Sequence, residues 1–152
     1  MGMLGARGRR RAAVAGVVAV AVTLGVAGTA QAAGTTPGTP CSSAARACVQ
    51  LDTRQAWLIA GGSVVRGPVP ISPGGPGRET PRGVFGVEWK HRDHHSAEFD
   101  APMPFAVFFA PGGIAFHEGI LSSPSAGCVR LGRDAAAAFF DFLQLGDRVE
   151  VV

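Results

Sequence analysis

Lysine is almost missing from this chain: Lys90 is the only one in 152 residues, and four of the 14 basic side chains (Arg7, Arg9, Arg10 and Arg11) are crowded at the N-terminus. From residue 33 onward ten basic side chains face eleven acidic ones, a net charge of −1 with histidine neutral. A phosphate backbone has to be met by a Lys/Arg-rich face, so the composition speaks against a nucleic-acid partner. No internal repeat is present, and the length leaves little room for a second core. One domain is expected.

The arginine cluster is followed by an uncharged apolar run from Ala12 to about Gly28 and then by Ala30-Gln31-Ala32. A basic start, an apolar middle and small residues at a cut site describe a secretory signal, here residues 1–32, with cleavage expected after Ala32 or Ala33. A retained anchor would need roughly 20 apolar residues to cross a bilayer, and this run falls short. The expected product is secreted, with no stable membrane insertion after cleavage. Residues 33–40 read as a Thr/Pro/Gly linker, extended and exposed, and residues 41–152 as the folded domain.

Cysteine is scarce, and its count is odd. Export puts Cys41, Cys48 and Cys128 where disulfides form, so one sulfur stays unpaired. Cys41 and Cys48 lie seven apart, whereas Cys128 stands far away in a glycine-containing turn. The expected bridge is Cys41–Cys48, which would stabilise the fold by roughly 2–3 kcal/mol on the chain-entropy account. Cys128 remains a free thiol.

Short apolar runs separated by Gly and Pro predict strands over Cys48–Leu51, Ala56–Ala60, Ser63–Ile71, Gly83–Trp89, Phe105–Phe109, Ile114–His117 and Arg148–Val152. Gly61-Gly62 suits a tight hairpin. Residues 72–81 (SPGGPGRETP) predict a surface loop, and Arg133 to about Leu143 the one helix, with Phe139, Phe140 and Leu143 on its apolar face. The fold class is mainly β with one helix. Trp57, Trp89 and most phenylalanines read as core.

The stretch FHEGILSSPSAGCVRL, residues 116–131, carries the chemistry. A thiol is a weak nucleophile at neutral pH unless a base or a local positive charge favours the thiolate, and His117, eleven residues before Cys128, is the candidate base. Gly127 would allow a sharp turn and the approach of a substrate carbonyl, with the Cys128 amide, alone or together with that of Gly127, stabilising an oxyanion. Ser125 is placed to orient the imidazole by its hydroxyl or carbonyl. Arg130, two residues along an extended segment, faces the same way as Cys128, where it could hold a substrate carboxylate or favour the thiolate. A run of Ser-x-Gly-Cys-Val/Ile-Arg arises by chance in roughly one chain of this length in ten thousand. An inert buried thiol is the weaker reading.

These residues resemble the L,D-transpeptidases of the YkuD-like type, whose signature is a histidine followed by Ser/Thr-x-Gly-Cys-Ile/Val-Arg. A second family element, Thr-Pro-x-Gly-x-Phe, stands here as Thr80, Pro81, Gly83 and Phe85. The chain departs from the pattern at Ala126, often histidine in other members, and in a short gap from His117 to Ser125. The resemblance implies a YkuD-like β-sandwich with one helix. It also implies acyl transfer through a Cys128 thioester between peptidoglycan stem peptides, as donor and acceptor, giving 3→3 cross-links at the cell wall. Carbapenem-type β-lactams would be acylating inhibitors, and no metal or organic cofactor is implied. The same residues would serve an L,D-carboxypeptidase, and the fold could also persist as a wall-binding module without catalysis.

His91, His94, His95, His117 and Cys128 supply enough donors for zinc, but no HExxH pairing occurs and His91–His95 read as a charged, solvated loop. His94 or His95 could line the donor groove, as could Thr80.

Overall fold

The computed structural model describes Gly2 and residues 34–152, so the expected signal lies, Gly2 apart, outside the described residues. The first strands pair where β-branched and aromatic residues cluster. β1 (Ala47–Gln50) runs antiparallel to β2 (Gln55–Ala60), and β2 turns through Gly61 and Gly62 into β3 (Ser63–Ser72). Both glycines have positive φ, 56° and 74°, as a two-residue hairpin turn of the primed type requires.

β3 is the corner of the molecule. Its first part pairs with β2, while Ile71 and Ser72 pair with Leu131 and Arg130 of β8 (Val129–Leu131). The remaining strands are β4 (Gly83–Gly86), β5 (Trp89–Ser96), β6 (Ala101–Ala110), β7 (Ile114–Glu118) and β9 (Arg148–Val151), and the one helix among the described residues is α1 (Arg133–Phe142). Together they form one nine-stranded sheet in the order β4-β9-β1-β2-β3-β8-β7-β6-β5. The sheet curls so that its two ends share a core: Val49, Leu58 and Val149 from one half pack with Phe109, Phe116 and Val129 from the other, and α1 adds Ala136 and Phe139. Phe85 of β4 meets Phe109 of β6 with ring centroids 5.9 Å apart. The mainly β, sandwich-like, one-helix expectation matches this architecture.

Three expectations need correction. The run Gly83–Trp89 is two strands, because Val87 donates to Asp147 O and the next residue, Glu88, donates to Phe108 O, so the chain leaves β9 and joins β6 between them. Residues 91–95 are not a loop but the middle of β5, paired antiparallel with β6 at each position except Arg92; ladder pairing outweighs their charge. Residues 34–40 are neither extended nor wholly exposed. Thr36 is fully buried and donates to Cys41 O, Ser43 donates to Gly34 O, and Gly38 turns the segment at φ 81°. The hook is fastened by Glu150, whose carboxylate accepts from both the amide and the hydroxyl of Ser42. The Cys41–Cys48 disulfide lies beside it, with a Cα–Cα distance of 5.8 Å.

Candidate active site

β7 and β8 run parallel, with Phe116 opposite Val129 and His117 opposite Arg130. Alternation along a strand then sorts the side chains. Phe116, Val129 and Leu131 enter the core, so His117 and Arg130 face the other way, and Cys128, two residues before Arg130, shares that face. His117, Cys128 and Arg130 all line one cavity of about 1130 Å³. That volume lies at the upper end of small-molecule sites and suits a peptide-sized ligand.

The imidazole is 7% exposed, and its Nδ1 lies 2.7 Å from the carbonyl oxygen of Glu118. A carbonyl can only accept, so Nδ1 carries the proton and the lone pair of the neutral ring is on Nε2. The orienting part expected of Ser125 therefore falls to the backbone of Glu118, whose carboxylate meanwhile pairs with Arg133 at 3.1 Å. The Ser125 hydroxyl instead accepts from the Gly127 amide at 3.1 Å and donates to Cys128 O.

The Cys128 thiol donates to Gly113 O at 3.6 Å rather than to the imidazole. Burial pushes the thiol pKa up, against a backbone hydrogen bond with Ala115 and the charge of Arg130. Burial likewise pushes His117 down; the Glu118 carbonyl opposes this, while Arg130 and His94 add to it. At neutral pH the resting pair is thiol and neutral imidazole.

The turn carrying Cys128 is held from behind. Gly127 has φ 119°, a region that disfavours side chains, and an added Cβ would lie 2.6 Å from Ile114 Cδ1. Ser72 Oγ donates to Ser123 O, Ser125 N to Pro73 O, and Gly75 N to Ser125 O. Thr80 does not line the cavity: it is 3% exposed, and its hydroxyl accepts from Gly74 N at 3.0 Å and donates to Gly127 O at 2.7 Å. The Arg130 guanidinium braces the same turn through Ser123 O and Pro124 O, at 3.3 and 3.4 Å.

The far wall comes from β5 and β6. Phe105 has φ 58°, and this left-handed residue breaks the strand alternation, so Met103 packs on the same side as Ala106 and Phe108. On the partner strand His94 thereby joins Trp89: its ring lies 5.4 Å from Trp89 and 5.1 Å from Phe108. Trp89 is no core residue. It is 43% exposed, stacked on Phe108 at 3.8 Å, and lines the cavity together with His94 and His95. His95 lies 3.6 Å from Asp100, both largely exposed. Sequence reasoning passed over the Trp89–Phe108 wall because an aromatic in an apolar run signals core, and over Glu118 O because a backbone acceptor leaves no compositional trace.

A family profile described as the L,D-transpeptidase catalytic domain, YkuD, matches residues 44–151. This chain belongs to that family. Among solved structures, the L,D-transpeptidase of Stackebrandtia nassauensis is similar at 25% identity and TM-score 0.66, with 70% of this chain and 54% of that one covered. One from Xylanimonas cellulosilytica is similar at 28% identity and TM-score 0.65, covering 75% and 63%. LdtMt1 in complex with imipenem is similar at 27% identity and TM-score 0.64, covering 70% and 57%. The chain thus spans less than two thirds of the length of each of these L,D-transpeptidases. No curated protein matches it.

Proposed function

We propose that this protein is an exported L,D-transpeptidase that forms 3→3 cross-links between peptidoglycan stem peptides through a thioester on Cys128. The observation carrying the proposal is that His117 on β7 and Cys128, immediately before the parallel neighbour β8, open into one peptide-sized cavity. His117 Nε2 accepts the thiol proton as the sulfur attacks the carbonyl of the third stem residue; the S–C bond forms, and the proton passes to the departing D-alanine amine as the C–N bond breaks. The Gly127 amide is committed to Ser125, so the Cys128 amide is the donor left for the oxyanion. An acceptor amine then attacks the thioester, gives up its proton to His117 and releases the thiol. Membership of the family and the likeness to an imipenem-bound relative support both this chemistry and acylation by carbapenems. The arginine-led apolar N-terminus supports export to the wall.

The test is incubation of the mature protein with disaccharide tetrapeptide, with products read by mass spectrometry. Cross-linked dimers are expected. Tripeptide alone would reject the transferase and leave an L,D-carboxypeptidase. Imipenem should add its mass to the wild type and nothing to Cys128→Ala; an unmodified wild type would leave only a binding module.

A further inference from the structure

The peptide unit joining Gly127 to Cys128 has one end in the reaction and the other in the protein interior. Its amide belongs to the nucleophile, which lines the cavity. Its carbonyl accepts from Thr80 Oγ1 at 2.7 Å, on a side chain that is 3% exposed and outside the cavity. A trans peptide is planar, with C=O and N–H pointing in opposite directions, so whatever fixes one fixes the other.

Thr80 is itself constrained. Its hydroxyl has a single proton, and the Gly74 amide donates to the same oxygen at 3.0 Å, which directs that proton toward Gly127 O. Gly74 is closely packed on that side, where an added Cβ would lie 2.0 Å from Arg78 O and 2.8 Å from Thr80 N. The peptides on either side are clamped as well, since Ser125 Oγ donates to Cys128 O in the following one and accepts from Gly127 N in the preceding one. Without the Thr80 bond, the Gly127–Cys128 plane could rotate about a glycine, the residue whose torsions resist least.

We infer that Thr80 is a positioning residue for the oxyanion site: its buried hydroxyl, loaded by the Gly74 amide, holds the Gly127 carbonyl so that the Cys128 N–H stays aimed at the developing oxyanion. This rests on the acyl-transfer reading above. It assigns Thr80 a part in the rate of acyl transfer without any contact with substrate.

Two reactions at the same sulfur separate this role from a merely structural one. In acylation by imipenem an S–C bond forms, the lactam C–N bond breaks, the thiol proton ends on the lactam nitrogen, and an oxyanion develops on the way. In alkylation by iodoacetamide an S–C bond forms, iodide leaves, and the proton goes to buffer, with no oxyanion. Thr80→Val keeps the shape and removes the hydroxyl, whereas Thr80→Ser restores it. Acylation of Thr80→Val should slow by roughly 10–100-fold, less than the roughly 10²–10³-fold for deleting an oxyanion donor, since the amide remains but is no longer held. Alkylation should stay within about twofold of wild type by the same reasoning, and Thr80→Ser should acylate nearly as wild type. Equal acylation rates for wild type and Thr80→Val would overturn the inference. So would a parallel fall in both reactions, which marks a collapsed site. If Thr80→Val does not fold, Thr80→Ala carries the same comparison. A wild type that imipenem fails to acylate would overturn the functional proposal itself, a result distinguishable from either of these.

Discussion

Burial disfavours the charged forms of His117 and Cys128, because surroundings that exclude water penalise an imidazolium–thiolate pair. The thiol is raised and the imidazole lowered, so the neutral pair is the favoured resting state. Alkylation of Cys128 by iodoacetamide, followed against pH, should therefore rise with a midpoint above that of an ordinary cysteine thiol. A midpoint below it would mean a preformed ion pair. The histidine carries a stability consequence of definite sign. Its folded pKa lies below its unfolded one, so its contribution is complete at higher pH and is lost as pH falls through the unfolded value toward the folded one. His117→Gln should flatten that part of the stability profile in urea titrations.

At the scale of the element, β5 and β6 decide what the cavity wall looks like. A non-glycine residue in the left-handed region costs about 1–2 kcal/mol, and Phe105 is kept there with its ring against Phe140, 6.2 Å away. The hairpin is tied to α1 by Lys90 Nζ donating to Leu143 O at 2.6 Å and by the Arg92–Asp141 pair at 3.0 Å. The two tryptophans then report differently. Trp57 is buried beside the disulfide, while Trp89 faces the cavity. Intrinsic fluorescence should change on acylation by imipenem, persist in Trp57→Phe and vanish in Trp89→Phe. The reverse would place the ligand elsewhere. Most strands and the helix were legible in the sequence, since β1, β2, β7, β9 and α1 each carry an apolar pattern and β3 follows the Gly61-Gly62 turn. What stayed hidden follows from Phe105: nothing in APMPFAVFFA announces a change of face, so the role of Trp89 had no local sign. The candidate site was legible as residue types close in sequence. Hydrogen-bond partners were not, because the Glu118 carbonyl and the Thr80–Gly127 bond depend on backbone direction.

Across the whole molecule, stability and chemistry are housed in different halves of the curled sheet. The disulfide, the N-terminal hook and Glu150 belong to the β9–β1–β2 side; His117 and Cys128 belong to the β8–β7 side. The double variant Cys41→Ser/Cys48→Ser should lose about 2–3 kcal/mol in denaturant unfolding, from the short loop it closes, with imipenem acylation of the folded protein unchanged. Glu150 sets an acid limit. Burial raises its carboxyl, but hydrogen bonds from Ser42 and Arg148 outweigh that and leave it lowered overall. Its stabilisation is therefore present above the unfolded carboxylate pKa and lost as pH falls through the folded one. Glu150→Gln should cost about 1–3 kcal/mol near neutral pH, and the difference from wild type should close on acidification.

His117 is placed by the β7–β8 ladder, and Cys128, one residue before β8, by that ladder together with the bonds that Thr80 and Ser125 make to its turn. Ile120, largely exposed at the cavity rim, takes part in none of those bonds, so its side chain can be exchanged without moving His117 or Cys128. Variation there would change which molecules are admitted to the sulfur while its reactivity stayed constant, and a new guest list could evolve without rebuilding the chemistry.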